Sequence, residues 1–183
     1  PEFLEWAKEG AEIVYAGKKA GDHTLTQAEI NALLVKKTKA GKTVVRLKGG
    51  DPYLFGRGGE EAGALADAGC AFEVVPGVTS AIAGPAYAGI PVTHRDHNTM
   101  LTIFTGHEDP LKPESSIDYA AIARAPGTKV MLMGIERLET ITAGLQQAGM
   151  DKGVPVALVR WATTGRQQTL VGKLHDIAAK AAE

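Results

Sequence analysis

Apolar residues along this chain alternate between short β-branched runs and longer stretches at helical spacing. Phe3 to Ala7 has the character of a helix tail, and Ala11 to Tyr15 predicts a short strand ending at Gly17. Thr26-Gln27-Ala28-Glu29 has the form of a capping box. Ile30, Leu33, Leu34 and Ala40 follow it at helical spacing, and Gly41 supplies the stop. Thr43 to Leu47 is a β-branched run that predicts a strand leading straight into Gly49-Gly50. Glu60 to Ala68 predicts a helix whose two leading glutamates complement the positive end of its dipole. Phe72 to Val75 predicts another strand, closed by Pro76-Gly77. Thr79 to Ala88 predicts a small-residue helix that Pro85 should kink.

Residues 91–98, with a proline, a threonine, two histidines and an aspartate, form the best linker candidate. Beyond them the alternation restarts. Strands are expected at 100–105, 129–133 and 155–160, with a short one near 168–171. Helices are expected at 117–124, at 136–148 with Leu138, Ile141, Leu145 and Ala148 on one face, and from about Leu174 to the end. Such strand–helix alternation predicts two α/β domains with mainly parallel sheets, 1–95 and 96–183. No sequence repeat relates them.

Composition narrows the function. A formal net charge of −1 over 183 residues argues against a nucleic-acid partner, which usually meets a strong basic excess. There is no apolar run near membrane-spanning length, and Pro1-Glu2-Phe3 lacks the basic start of a signal peptide. The one cysteine, Cys70, can form no intrachain disulfide, which fits a cytoplasmic protein.

The 22 glycines are spread through turns, and four glycine-marked loops fall after expected strands: from Gly17, at Gly49-Gly50-Asp51-Pro52, at Pro76-Gly77-Val78-Thr79-Ser80, and at Met133-Gly134. Open parallel sheets bind ligands at those ends. Neither phosphate-binding glycine fingerprint is present, and the central loop is accompanied by Asp51, Glu60 and Glu61 with Arg57 the only base. Acidic company favours a ligand carrying positive charge, such as a sulfonium with an ammonium, although Glu60 and Glu61 also read as solvated helix-start residues. Met133 reads either as core or as the wall of an adenine slot. His94, Asp96 and His97 read as linker polarity, so no metal site is expected, and the absence of Gly-x-Ser-x-Gly disfavours a serine hydrolase. Lys18, Lys19, His23, Arg46, Lys48, Arg95 and Arg160 lie near strand ends. They read singly as surface charges and together as a basic rim for a polycarboxylate.

The run from Val45 to Glu61, centred on Gly49-Gly50-Asp51-Pro52, resembles the signature of uroporphyrinogen-III C-methyltransferases. Val74-Val75-Pro76-Gly77-Val78-Thr79-Ser80-Ala81, Ala88 to Arg95, Thr105-Gly106-His107, Gly17 to Gly21 and Pro155 to Val159 extend the likeness over essentially the whole chain. The resemblance implies two α/β domains with S-adenosyl-L-methionine in the cleft between them, in a homodimer. It implies methylation of uroporphyrinogen III at C2 and C7 to precorrin-2, toward sirohaem and cobalamin, with S-adenosyl-L-homocysteine as by-product. Carried over by motif, Gly49, Gly50, Asp51, Leu54, Thr79, Ser80 and Met133 would contact the cofactor, as would Ala162, which stands where the family often has glycine. Lys18 matches a position assigned proton donation and is also a substrate-anchor candidate, with Arg46, Arg57 and Arg95 as further carboxylate anchors. The family opens with a strand and a glycine-rich loop that have no counterpart here, so a truncated N-terminal domain is expected. A later precorrin or diphthine-type methyltransferase, or an inactive cofactor-binding module, is the alternative.

Overall fold

The computed structural model describes residues 2–17, 25–107 and 117–183. Its described residues form two compact units, Pro1–Lys48 with Pro52–Pro76, and Gly49–Asp51 with Gly77–Glu183. Residues 77–95, grouped with the first domain by sequence, therefore pack within the second unit. Among the described residues no helix is long and apolar enough to cross a membrane.

The first unit is built on two helices, α1 (Gln27–Lys39) and α2 (Gly58–Asp67). The capping box at the start of α1 forms as expected: Glu29 N–H donates to Thr26 Oγ1 at 3.3 Å, and Thr26 N–H donates to Glu29 Oε2 at 2.7 Å. Ile30 and Leu34 bury the inner face of α1, which packs on α2. A short 3-10 turn, Glu2–Trp6, sets Phe3 edge-on to Trp6 with ring centroids 5.6 Å apart.

The strands expected at 11–15, 43–47 and 72–75 are absent from this unit. Among the described residues these segments receive no ladder hydrogen bonds, and Val45 and Val75 are 82% and 74% exposed. β-branched residues supply the propensity for a strand, but pairing with a second backbone makes one.

Among the described residues, all the strands lie in the second unit. After α3 (Ser80–Tyr87) come β1 (Leu101–Thr105), α4 (Tyr119–Arg124) and β2 (Thr128–Leu132). β1 and β2 pair in parallel, from Leu101 opposite Thr128 to Thr105 opposite Leu132. A 3-10 turn, Ile135–Arg137, leads into α5 (Leu138–Gln147). β3 (Pro155–Arg160), β4 (Gln168–Lys173) and α6 (Ile177–Ala182) complete the order. β3 and β4 are antiparallel, Pro155 facing Lys173 and Arg160 facing Gln168. The expected face of α5 is the buried one: Ile141 and Leu145 join Ile122 and Leu174 in the core, against Phe104, Met131 and Val156.

The segment 91–98 is fastened rather than loose. Asn98 Nδ2 donates to Thr128 Oγ1 at 2.7 Å and to Val92 O at 3.0 Å, tying it to the start of β2.

Candidate functional site

Glycine loops in the second unit meet backbone to backbone. Gly50 has φ +68°, and a Cβ placed on Gly77 would run into Gly50 O. At Gly77 only a residue without a side chain allows this crossing, whereas Gly50 has room for a Cβ and is glycine for its left-handed backbone. Gly77 N–H donates to Asp51 Oδ2 at 3.1 Å, so the carboxylate fixes one loop against the other. The next residues open α3: Thr79 is its N-cap, its Oγ1 accepting the Ala81 N–H at 3.2 Å, and Ser80 is its first residue. Farther along α3, a Cβ on Gly84 would lie 3.6 Å from that of Ala162, in ordinary contact. Gly50, Asp51, Thr79 and Ser80 therefore meet at the head of α3, and Ala162 lies against the same helix farther along.

A second crossing lies at the carboxyl ends of β1 and β2. Gly106 N–H donates to Leu132 O at 2.8 Å, and a Cβ on Gly106 would collide with Gly134 Cα. Met133, between them in sequence, is held at φ +55° with its side chain exposed. A left-handed backbone on a residue with a long side chain is strained, a condition found most often at ligand sites. Of the sequence-predicted cofactor residues, Leu54 alone falls in the first unit.

The first unit corrects one electrostatic expectation. Glu60 and Glu61 are not available acidic charges. Glu61 is 5% exposed, with Arg46 Nε on Oε1 at 3.1 Å and Lys48 Nζ on Oε2 at 3.0 Å. Gln27 Nε2 adds a third donor to Oε1 at 3.3 Å. Exposed Glu60 is gripped by Arg57 through both oxygens, at 2.8 Å each. That hydrogen-bonded pairing lowers the pKa of Glu60 and raises that of Arg57. Of the acidic residues flanking the glycine loop, Asp51 remains, and it is engaged by Gly77 N–H.

Among the predicted substrate anchors, Arg46 and Arg57 are thus oriented by glutamates, and Arg46 Nη1 also donates to Leu47 O at 3.1 Å. Arg95 is exposed and has no carboxylate partner among the described residues. Lys18 lies outside the described residues. His94 and His97 stack with centroids 4.6 Å apart, and His94 Nδ1 accepts the Asp96 N–H at 3.2 Å. Among the described residues no group of three His, Cys, Asp or Glu side chains is placed to hold a metal.

Two features escaped sequence reasoning. The Glu61 triad was hidden because a glutamate in a helix's first turn usually faces water. The loop after β3 holds two more left-handed residues, Trp161 at φ +48° and Thr163 at φ +67°. Nothing in their residue types signals this.

Comparison with known proteins identifies the family. Residues 1–178 match the family model described as Tetrapyrrole (Corrin/Porphyrin) Methylases. An S-adenosyl-L-methionine-dependent uroporphyrinogen III methyltransferase from Methanosarcina barkeri is 55% identical over 181 residues, covering 99% of this chain and 71% of that protein. A uroporphyrinogen-III C-methyltransferase from Bacillus subtilis is 46% identical over 183 residues, covering all of this chain but 38% of that protein. The crystal structure of uroporphyrin-III C-methyl transferase from Thermus thermophilus complexed with S-adenyl homocysteine superposes with TM-score 0.76 at 39% identity, over 93% of this chain and 71% of that one. With its glycine crossings, its mixed α/β architecture and these likenesses, the chain belongs to the tetrapyrrole methylase family.

Proposed function

We propose that this chain carries the S-adenosyl-L-methionine-dependent C-methylation of uroporphyrinogen III at C2 and C7, giving precorrin-2 for sirohaem and cobalamin. The observation that carries this reading is the packing of Gly50, Gly77, Asp51 and Thr79 at the head of α3, with Ala162 against the same helix. The donor set fits the cofactor. Gly49 presents bare backbone with open space where a side chain would be, and Asp51 offers a carboxylate to a cationic or hydroxyl-bearing ligand. In this reading Gly49, Gly50, Asp51, Leu54, Thr79, Ser80, Met133 and Ala162 hold the cofactor.

The sulfonium supplies a methyl group that is already activated. The protein's task is therefore to align the reacting atoms, and good alignment is worth roughly 7–11 kcal/mol of barrier. The glycine crossings hold the cofactor-facing backbone where motion would blur that alignment. Lys18, Arg46, Arg57 and Arg95 are the proposed anchors for the substrate's carboxylates, the first also a proton donor. Glu60 and Glu61 hold two of the arginines in fixed orientations, each guanidinium keeping only its remaining N–H groups for a substrate carboxylate. The reading includes a cytoplasmic homodimer.

Asp51→Ala tests the site directly. Loss of a hydrogen bond involving a charged group costs about 1.5–3 kcal/mol, so calorimetry should show S-adenosyl-L-homocysteine binding weakened by roughly tenfold to a hundredfold. Unchanged affinity would remove Asp51 and its loop from the cofactor site. Conversion of uroporphyrinogen III to a product with the precorrin-2 or sirohydrochlorin spectrum tests the chemistry. A chain that binds the by-product but gives no such spectrum would be a binding module instead.

A further inference from the structure

The loop joining β3 to β4 is built around an aromatic ring and two cations. The Arg160 guanidinium carbon lies 3.9 Å from the centroid of the Trp161 ring, and that of Arg166 lies 5.0 Å away. Trp161 is 42% exposed, so the cluster faces solvent. Its backbone is pinned. Thr164 Oγ1 donates to Trp161 O at 2.7 Å, and Thr163 N–H donates to Gln167 Oε1 at 2.9 Å. Gln167 Nε2 reaches Tyr87 O at 3.1 Å, fastening the loop to the end of α3.

Neither guanidinium has a carboxylate or hydrogen-bond partner among the described residues, whereas Arg46 and Arg57 are each tied to a glutamate. An arginine beside an aromatic ring is oriented by that ring while its N–H groups remain available for bidentate pairing. Two such groups on one pinned loop make an anion-binding corner with an apolar face beside it.

We propose that Trp161, Arg160 and Arg166 form a subsite for the peripheral carboxylates of the tetrapyrrole substrate, the indole lying against the macrocycle's apolar rim. The proposal rests on the methyltransferase reading above and adds a specificity element to it. The cofactor is the poorer fit, because its single carboxylate comes with a sulfonium and an ammonium that two unpaired cations would repel. The tetrapyrrole is a polyanion.

The test uses the whole chain in a Trp6→Phe background, which leaves Trp161 as the one tryptophan. Uroporphyrin III, the stable oxidised form that carries the same carboxylates, is titrated while Trp161 fluorescence is followed. Quenching is expected. The Arg160→Gln/Arg166→Gln variant should raise the Kd for uroporphyrin III at least tenfold and leave S-adenosyl-L-homocysteine affinity within twofold. Arg160→Lys/Arg166→Lys should recover part of the loss. If the double variant does not fold, Arg166→Gln alone should shift the Kd in the same direction. An unchanged uroporphyrin Kd, or an equal loss of S-adenosyl-L-homocysteine affinity, overturns the subsite. Arginine-dependent uroporphyrin binding in a chain that does not methylate uroporphyrinogen III would sink the catalytic reading while upholding the subsite.

Discussion

Glu61 has exchanged water for two cations and an amide: Arg46 on one oxygen with Gln27, Lys48 on the other. A carboxylate this enclosed depends on its partners, and they depend on it, since Arg46 and Lys48 keep only 30% and 10% of their side-chain exposure. Removing one member of a buried ion pair typically costs 3–5 kcal/mol. Because Arg46 retains a solvent-facing edge, Glu61→Gln should cost about 3 kcal/mol, at the lower end of that range. Urea denaturation followed by circular dichroism measures this directly. A loss below about 1 kcal/mol would place the triad with ordinary surface pairs.

At the level of elements, α1 shows what a local signal can specify. Thr26 and Glu29 satisfy each other's backbone donors, and nothing distant is required. Thr26→Ala should therefore cost about 1 kcal/mol, with Thr26→Ser close to neutral, in the same denaturation experiment. The helices and the strands of the second unit were legible for this reason: caps, glycine stops and periodicity lie within each segment. The face of α5 was legible too, down to Ile141 and Leu145. Residues 11–15, 43–47 and 72–75 were not, because a strand is a relation between two backbones and their sequence describes one. For the site, the glycine loops and Asp51 could be located from sequence, but not the crossings of Gly50 with Gly77 and Gly106 with Gly134. Close approach between distant segments leaves no mark beyond the glycines themselves. The pairing of Glu61 leaves no local mark for the same reason, since its partners lie 13, 15 and 34 residues away.

Across the molecule, apolar burial is uneven. The second unit holds Ile122, Ile141, Leu145 and Leu174 in one core cluster, with Ile177 fully enclosed nearby. The first unit buries Ile30, Leu34 and Cys70 around α1 and α2 and leaves Val45 and Val75 open to water. Local stability follows buried apolar contact. In native-state hydrogen exchange, amides of α1 and α2 should exchange at lower opening free energy than those of α5 and β3. Equal protection in both regions would show that the two units open together.

The left-handed residues Phe55, Arg57, Met133, Trp161 and Thr163 all lie in loops, and none is glycine. For anyone seeking a hardier variant they are tempting targets, since glycine would relax each backbone at little steric cost. Three of those substitutions would erase groups proposed above for binding: the Arg57 guanidinium, the Met133 side chain and the indole beside two arginines. Sturdiness and recognition therefore compete for the same handful of positions, and a thermostabilisation campaign on this fold should begin in the helices and leave these loops alone.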